Sequence, residues 1–336
     1  MKAREGDLIE TREGLIFDVK GLLHPPDRVI SYARYFPHSM GDRERVGKRY
    51  KKVYSLNERQ TFLSENYPQY LYYDEIHGKQ LEGVPTSVIT KHYEPIAGLK
   101  TLSERNALQQ IEMHALYFSR QLHKASIVPF NKIGVSGSIL IGLQKDDSDV
   151  DLIVYGRENG LRVHKTLKGL LEDEGNEISR YDLRGLKQLY RFRVKDTKVP
   201  FRDFVKTESR KVYQGRIFDR DYFIRFVLDW SDIEEEYGDR RFKTAGRSTI
   251  KAKIDDDSNS IFTPCLYLIT ECEFLSGRTF NGLKEITSYR GRFCEQAKKD
   301  EVIQAEGAVE KVTEKNGSFY HRLILGEHRS DYMILK

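Results

Sequence analysis

The chain has 336 residues, 56 Lys+Arg against 51 Asp+Glu, and a formal net charge of +5. Its 20 Tyr and 17 Phe set it apart from disordered chains, which are poor in aromatics. A mean hydropathy of −0.61 with only short apolar runs excludes a membrane span of ~18 apolar residues. At this length two or three domains are expected, large enough to fold without disulfides. Cys265, Cys272 and Cys294 form neither a disulfide framework nor a zinc spacing, and read as buried small hydrophobes. That usage, with no apolar leader at the start of the chain, predicts a cytoplasmic protein without a membrane partner.

In chain order, apolar segments on either side of Thr11-Arg12-Glu13-Gly14 predict a hairpin. The following PPDRVISYARYF predicts a helix opened by proline. Arg43, Arg45, Lys48, Arg49, Lys51 and Lys52 then cluster around Tyr50 and Tyr54. This pattern suits either a solvated face, the favoured reading, or a nucleic-acid contact. A boundary is expected near Glu94-Pro95, followed by a capping box at Thr101-x-x-Glu104. Leu108, Ile111, Ala115, Phe118 and Leu122 then mark one face of a helix that packs on a sheet. A strand at 133–135, a small-residue turn, a short helix, the strand DVDLIVY and a helix with Val163, Leu167, Leu170 and Leu171 buried complete an α/β unit. From about Ser231 the pattern turns to β-hairpins, one closed by Asn316-Gly317, and predicts a small barrel. The expected domains are an α+β accessory domain at 1–98, an α/β core at 99–232 and a β-rich domain at 233–336.

The chemistry concentrates in residues 133–156. Gly137-Ser138 is followed by ten residues and then by Asp149-Val150-Asp151 at a strand. This pattern resembles the nucleotidyltransferase superfamily typified by DNA polymerase beta. Residues 17–35, 134–143 and 260–269 together also resemble an archaeal family of predicted nucleotidyltransferases of unknown substrate.

Each part has a physical reason. Alternation puts Asp149, Asp151 and Ile153 on one strand face. Two carboxylates side by side repel and call for a cation, and oxygen ligands that also meet phosphates suit Mg²⁺, with Mn²⁺ as a substitute. Gly137 lets a phosphate approach the backbone, and Ser138 opens a helix whose free N–H groups face an NTP tail. Two ions can neutralise the attacking oxygen and the leaving pyrophosphate.

The resemblance further implies a third carboxylate from a neighbouring strand. In DYFIRFVLDW, alternation aligns Phe223, Arg225, Val227 and Asp229, which makes Asp229 the first candidate, with Asp203 and Asp255 as rivals. Arg225, inside an apolar strand, must meet an anion, either a carboxylate or the phosphates of the nucleotide. Arg216 and Arg220 read chiefly as solvent-exposed charges. No H-E-x-x-H, P-loop or dinucleotide fingerprint is present.

The resulting expectation is a Mg²⁺-dependent transfer of NMP from an NTP to a hydroxyl, with RNA such as tRNA preferred over a protein or a small molecule. The alternative is a nucleic-acid-binding protein on a catalytically degenerate scaffold.

Overall fold

The computed structural model describes residues 1–53, 55–173 and 175–336, with the side chains of residues 56 and 57 left aside. Tyr54, grouped above with the basic segment, lies outside the described residues. The chain is mixed α/β and strand-rich, with seven α-helices and three sheets among the described residues. No helix among them is long and apolar enough to cross a membrane. The chain divides into two compact units. One comprises residues 1–72, 80–179 and 212–234; the other comprises 73–79, 180–211 and 235–336. Residues 180–211 thus group with the C-terminal strands.

The first unit holds two sheets. In the N-terminal sheet, Leu8–Thr11 and Ile16–Val19 form the expected hairpin. Ile16–Val19 pairs onward with Arg28–Pro37, which pairs with Lys48–Lys52. The helix predicted for PPDRVISYARYF is instead the ten-residue strand Arg28–Pro37. Its run of Val, Ile, Tyr and Phe favours a pleated, half-buried surface, and that preference outweighs the helix-opening proline signal. The basic segment forms a tight hairpin of Arg43–Arg45 and Lys48–Lys52.

The core sheet runs Ile178–Ser179, Gln214–Ile217, Arg220–Val227, Val150–Tyr155, Ile133–Val135. Arg220–Val227 runs parallel to Val150–Tyr155, and Ile133–Val135 runs antiparallel to it. Helix Gln110–Ser126 covers this sheet with the predicted stripe of Ile111, Ala115, Phe118 and Leu122, all buried. Its capping box uses Gln109 and Glu112, eight residues beyond the Thr101 start expected from sequence. Thr101 and Glu104 instead end the preceding helix, Pro95–Glu104.

The second unit is built on a barrel. Strands Arg240–Asp256, Cys265–Gly277 and Leu283–Ser288 form a meander. Leu283–Ser288 pairs in parallel with Phe319–Ile324, and Phe319–Ile324 pairs antiparallel with Val302–Glu314. Val302–Glu314 returns to Arg240–Asp256 and closes the ring. Numbered along the ring the order is 1-2-3-5-4-1, a five-stranded Greek-key barrel with the strand order of the OB type, and Tyr332–Leu335 adds a sixth strand to the sheet beside Val302–Glu314. Ile250, Ile254, Tyr267, Ile286, Ile303, Val309 and Leu323 fill its interior. Gly317, at a φ of +84°, makes the turn between the last two barrel strands.

Candidate functional site

The site begins where Val150–Tyr155 begins. Asp149 precedes the strand by one residue and Asp151 is its second residue; both side chains are partly exposed, among buried neighbours Val150 and Leu152. The loop leading to Asp149 is held by arginines of the basic hairpin. Arg43 Nη1 donates to the Leu143 carbonyl at 2.6 Å and to Ser148 Oγ at 3.4 Å, and Arg45 Nη1 donates to the Ile141 carbonyl at 3.2 Å. Arg43 is only 8% exposed. Two cations of this segment therefore serve the loop, while Lys52 lies close enough to favour the charged form of Asp151.

Gly137 sits beside the acid pair at a φ of +61°, a conformation L side chains rarely adopt. A Cβ built there would stand 2.9 Å from Asp151 Cγ and closer still to Oδ2. The glycine therefore lets the carboxylate lie directly against the turn. The Ser136 N–H donates to the Asp151 carbonyl at 2.9 Å, fixing turn to strand. Ser138 is buried, and its hydroxyl has no hydrogen-bond partner among the described residues. The helix expected from residue 138 is one turn, Gly137–Leu140, so its dipole is small and its free N–H groups are what remain to meet an anion.

Burial and the neighbouring charge of Asp149 push Asp151 up to about 7, against the opposing pull of Lys52, Arg225 and Arg34. A carboxylate in that setting gains from a cation.

Arg225 faces the same side. The register sets Asp151 opposite Phe223 and Ile153 opposite Arg225, so the guanidinium stands one step along from Asp151. Its Nη1 donates to Glu5 Oε1 at 2.8 Å and to Asp18 Oδ1 at 3.4 Å. Lys20 bridges the same acids, at 3.1 Å and 3.0 Å. Burial opposes charge on Asp18, but Lys20, Arg225 and Arg34 outweigh it and hold Asp18 well below the usual carboxylate range. Burial likewise disfavours charge on Arg225, and Asp18, Glu5 and Asp151 outweigh it to strengthen its hold on the proton.

The remaining candidates lie elsewhere. Strand Arg220–Val227 ends before Asp229, which opens a 3₁₀ turn at Trp230–Asp232 and accepts from the Trp230 N–H. Arg4 reaches its Oδ1 at 2.9 Å and Lys132 its Oδ2 at 2.5 Å. Asp203 is in helix Phe201–Glu208 and Asp255 in strand Arg240–Asp256, both in the second unit. Arg216 pairs with Asp221 at 3.5 Å, and Arg220 donates to the Asp146 carbonyl. The structure thus brings together Gly137, Ser138, Asp149, Asp151 and Arg225.

Sequence reasoning missed Glu5, Asp18 and Arg34. Asp18 did carry a signal: it is an acid between Phe17 and Val19, both with no exposed surface. That apolar–Asp–apolar setting lies upstream of Asp151, not on a strand that follows it. Among the described residues no group of three or more His, Cys, Asp or Glu is arranged to hold a metal ion. Two carboxylates alone would leave a Mg²⁺ to take its other ligands from phosphate oxygens and water.

The chain is 30% identical to the uncharacterized protein MJ1086 of Methanocaldococcus jannaschii, over 346 aligned positions that cover 99% of this chain and 98% of the other. No family model matches the chain. No solved structure matches it either.

Proposed function

The chain belongs to the family of that Methanocaldococcus jannaschii protein, and from the geometry of its acid pair we propose that it is a nucleotidyltransferase. It takes an NTP and passes the NMP to a hydroxyl acceptor, with the end of an RNA preferred. The acceptor oxygen forms a bond to the α-phosphorus as the bridging bond to pyrophosphate breaks. Asp149 and Asp151 would hold Mg²⁺, which supplies charge neutralisation for the phosphates. The Gly137-Ser138 turn binds the polyphosphate, through its N–H groups and the Ser138 hydroxyl.

One observation carries this reading. The carboxylate of Asp151, its proton affinity lifted by burial and by Asp149, lies against the turn that carries the open N–H groups and the unpartnered Ser138 hydroxyl, so a cation held by the acids would sit beside an anion held by the turn. The test is incubation with α-labelled NTPs, Mg²⁺ or Mn²⁺, and RNA or protein acceptors. Label should move to an acceptor, and the Asp149→Asn and Asp151→Asn variants should lose the transfer while remaining folded. No transfer with any nucleotide, metal or acceptor would count against it.

A second reading has its own support. The neighbouring strand presents Arg225 rather than an acid beside Asp151, and Asp229 is engaged by Arg4 and Lys132. A scaffold that binds nucleic acid without transfer would look the same. It predicts RNA binding that survives both acid substitutions, with no labelled product.

A further inference from the structure

Where strand Arg240–Asp256 enters the barrel, an irregularity between Thr244 and Gly246 shifts its register against Val302–Glu314. On its N-terminal side, directly opposed residues form two rows across three strands. Arg241 faces Thr313, which faces Phe319; Lys243 faces Lys311, which faces His321. Opposed residues of antiparallel strands share a face, so cations and rings are presented together.

The rings form a series. Phe319 and His321 have centroids 6.1 Å apart, His321 and Phe280 5.1 Å, and Phe280 and Phe274 6.3 Å. Lys311 Nζ stands 4.0 Å from the Phe319 centroid, and the Arg278 guanidinium 5.4 Å from that of Phe280. Phe319 is 57% exposed, and Arg241, Lys243 and Arg278 are exposed as well. Arg241, Lys243 and Thr313 also wall an open pocket of about 420 Å³, with Tyr73, 61% exposed, on its rim. That is the size of a small-ligand cleft. One acid, Glu75, is among the lining residues.

We propose that this end of the barrel binds single-stranded nucleic acid. A lone exposed phenylalanine needs no explanation, but a run of rings interleaved with cations does. Rings stack on bases of any sequence, and the interleaved cations neutralise the phosphates between them. A duplex hides its base faces and leaves only the charges to be met. An apolar protein partner would gain nothing from Arg241, Lys243 and Lys311 in the same rows. OB barrels in general bind oligonucleotides or oligosaccharides, and the cations favour the former. The surface lies wholly in the second unit, so the proposal stands or falls independently of the Asp149–Asp151 reading.

The experiment is fluorescence anisotropy of the full chain with labelled single strands of about 12 nucleotides, within the span of one OB barrel. EDTA keeps divalent-ion binding at the acid pair out of the readout. Saturable binding of RNA or DNA single strands is expected, with weaker binding of the matching duplex. RNA bound more tightly than DNA would show that the ribose hydroxyl is read; equal affinity would show that bases and phosphates suffice. Phe319→Ala, at an exposed site that should fold normally, should weaken binding about tenfold or more. The Lys243→Ser/Lys311→Ser pair should flatten the log–log salt slope by about 1.4. The proposal is overturned if no single strand binds. It is equally overturned if Phe319→Ala binds like wild type while duplex and heparin compete as well as single strands, or if a neutral oligosaccharide is preferred.

Discussion

Asp151 and Gly137 are locked together: the carboxylate of one occupies the space that a side chain on the other would need. Gly137→Ala therefore carries two penalties, a left-handed φ and a clash with the acid. The backbone part alone should cost about 1–3 kcal/mol. Relief of the clash would push Asp151 away from the turn. Thermal melts should show the stability loss, and Mn²⁺ titration should show weaker binding than in Ser138→Ala, which removes a hydroxyl without moving the acid. Equal Mn²⁺ binding by wild type and Gly137→Ala would mean that the turn does not position the carboxylate.

Arg225 is bound up with Glu5, whose side chain has no exposed surface, and with Asp18. Arg225→Met would leave Lys20 in contact with both acids, with Arg34 also favouring the charge of Asp18. Removing one member of a buried ion pair usually costs about 3–5 kcal/mol, and the surviving lysine should hold the loss to the low end. A double-mutant cycle with Glu5→Gln should return a coupling of about 1–3 kcal/mol in urea melts. Additive effects would mean that Arg225 serves something other than Glu5, and nucleotide phosphates would then regain their claim on it.

The sequence made Gly137, Ser138, Asp149 and Asp151 legible because they sit within fifteen residues and two periodic elements, where local pattern is informative. The barrel hairpin at Asn316-Gly317 was legible for the same reason. Arg28–Pro37 was not, because Pro25-Pro26 ahead of it imitates a helix start while its burial follows no strict alternation, so only the β-preference of its residue types spoke for a strand. Glu5 and Asp18 escaped for a different reason. Their link to Arg225 spans more than two hundred residues, and only the tertiary fold of the first unit brings them together.

His24 supplies a pH dependence. Its Nδ1 accepts from the Ile30 N–H at 3.2 Å, which requires a lone pair, and its Nε2 then donates to the Ala3 carbonyl at 3.0 Å. Burial pushes the imidazole down to about 4, only partly offset by the Ala3 contact. A histidine that binds its proton less readily folded than unfolded stabilises the fold above about pH 6.5. That contribution is lost as the pH falls from 6.5 toward 4, by up to about 3 kcal/mol. His24→Gln keeps a donor and an acceptor but cannot titrate. Its stability curve should be flatter over that window in urea melts, and a parallel curve would remove His24 as the cause.

Asp151 and Asp229 should respond to the same substitution with opposite signs. Burial raises the proton affinity of Asp229, but Lys132, the Trp230 N–H and Arg4 outweigh it, so its charged form is favoured. Stability from Asp229 is therefore present at neutral pH and lost as the pH drops below the usual carboxylate range. Asp229→Asn should cost about 1–2 kcal/mol at pH 8, chiefly as a weakened turn cap and two lost ion pairs. Asp151 is shifted the other way, so stability falls as the pH rises from about 4 to 7, where the unfolded chain gives up a proton that the folded chain keeps. Asp151→Asn in EDTA should therefore melt above wild type at pH 8, with the difference vanishing near pH 4. Saturating Mg²⁺ with an NTP should reverse the order, because the wild type alone gains from the ligand. Loss of stability in Asp151→Asn under EDTA would mean that its carboxylate is held by protein cations and is not waiting for a metal ion.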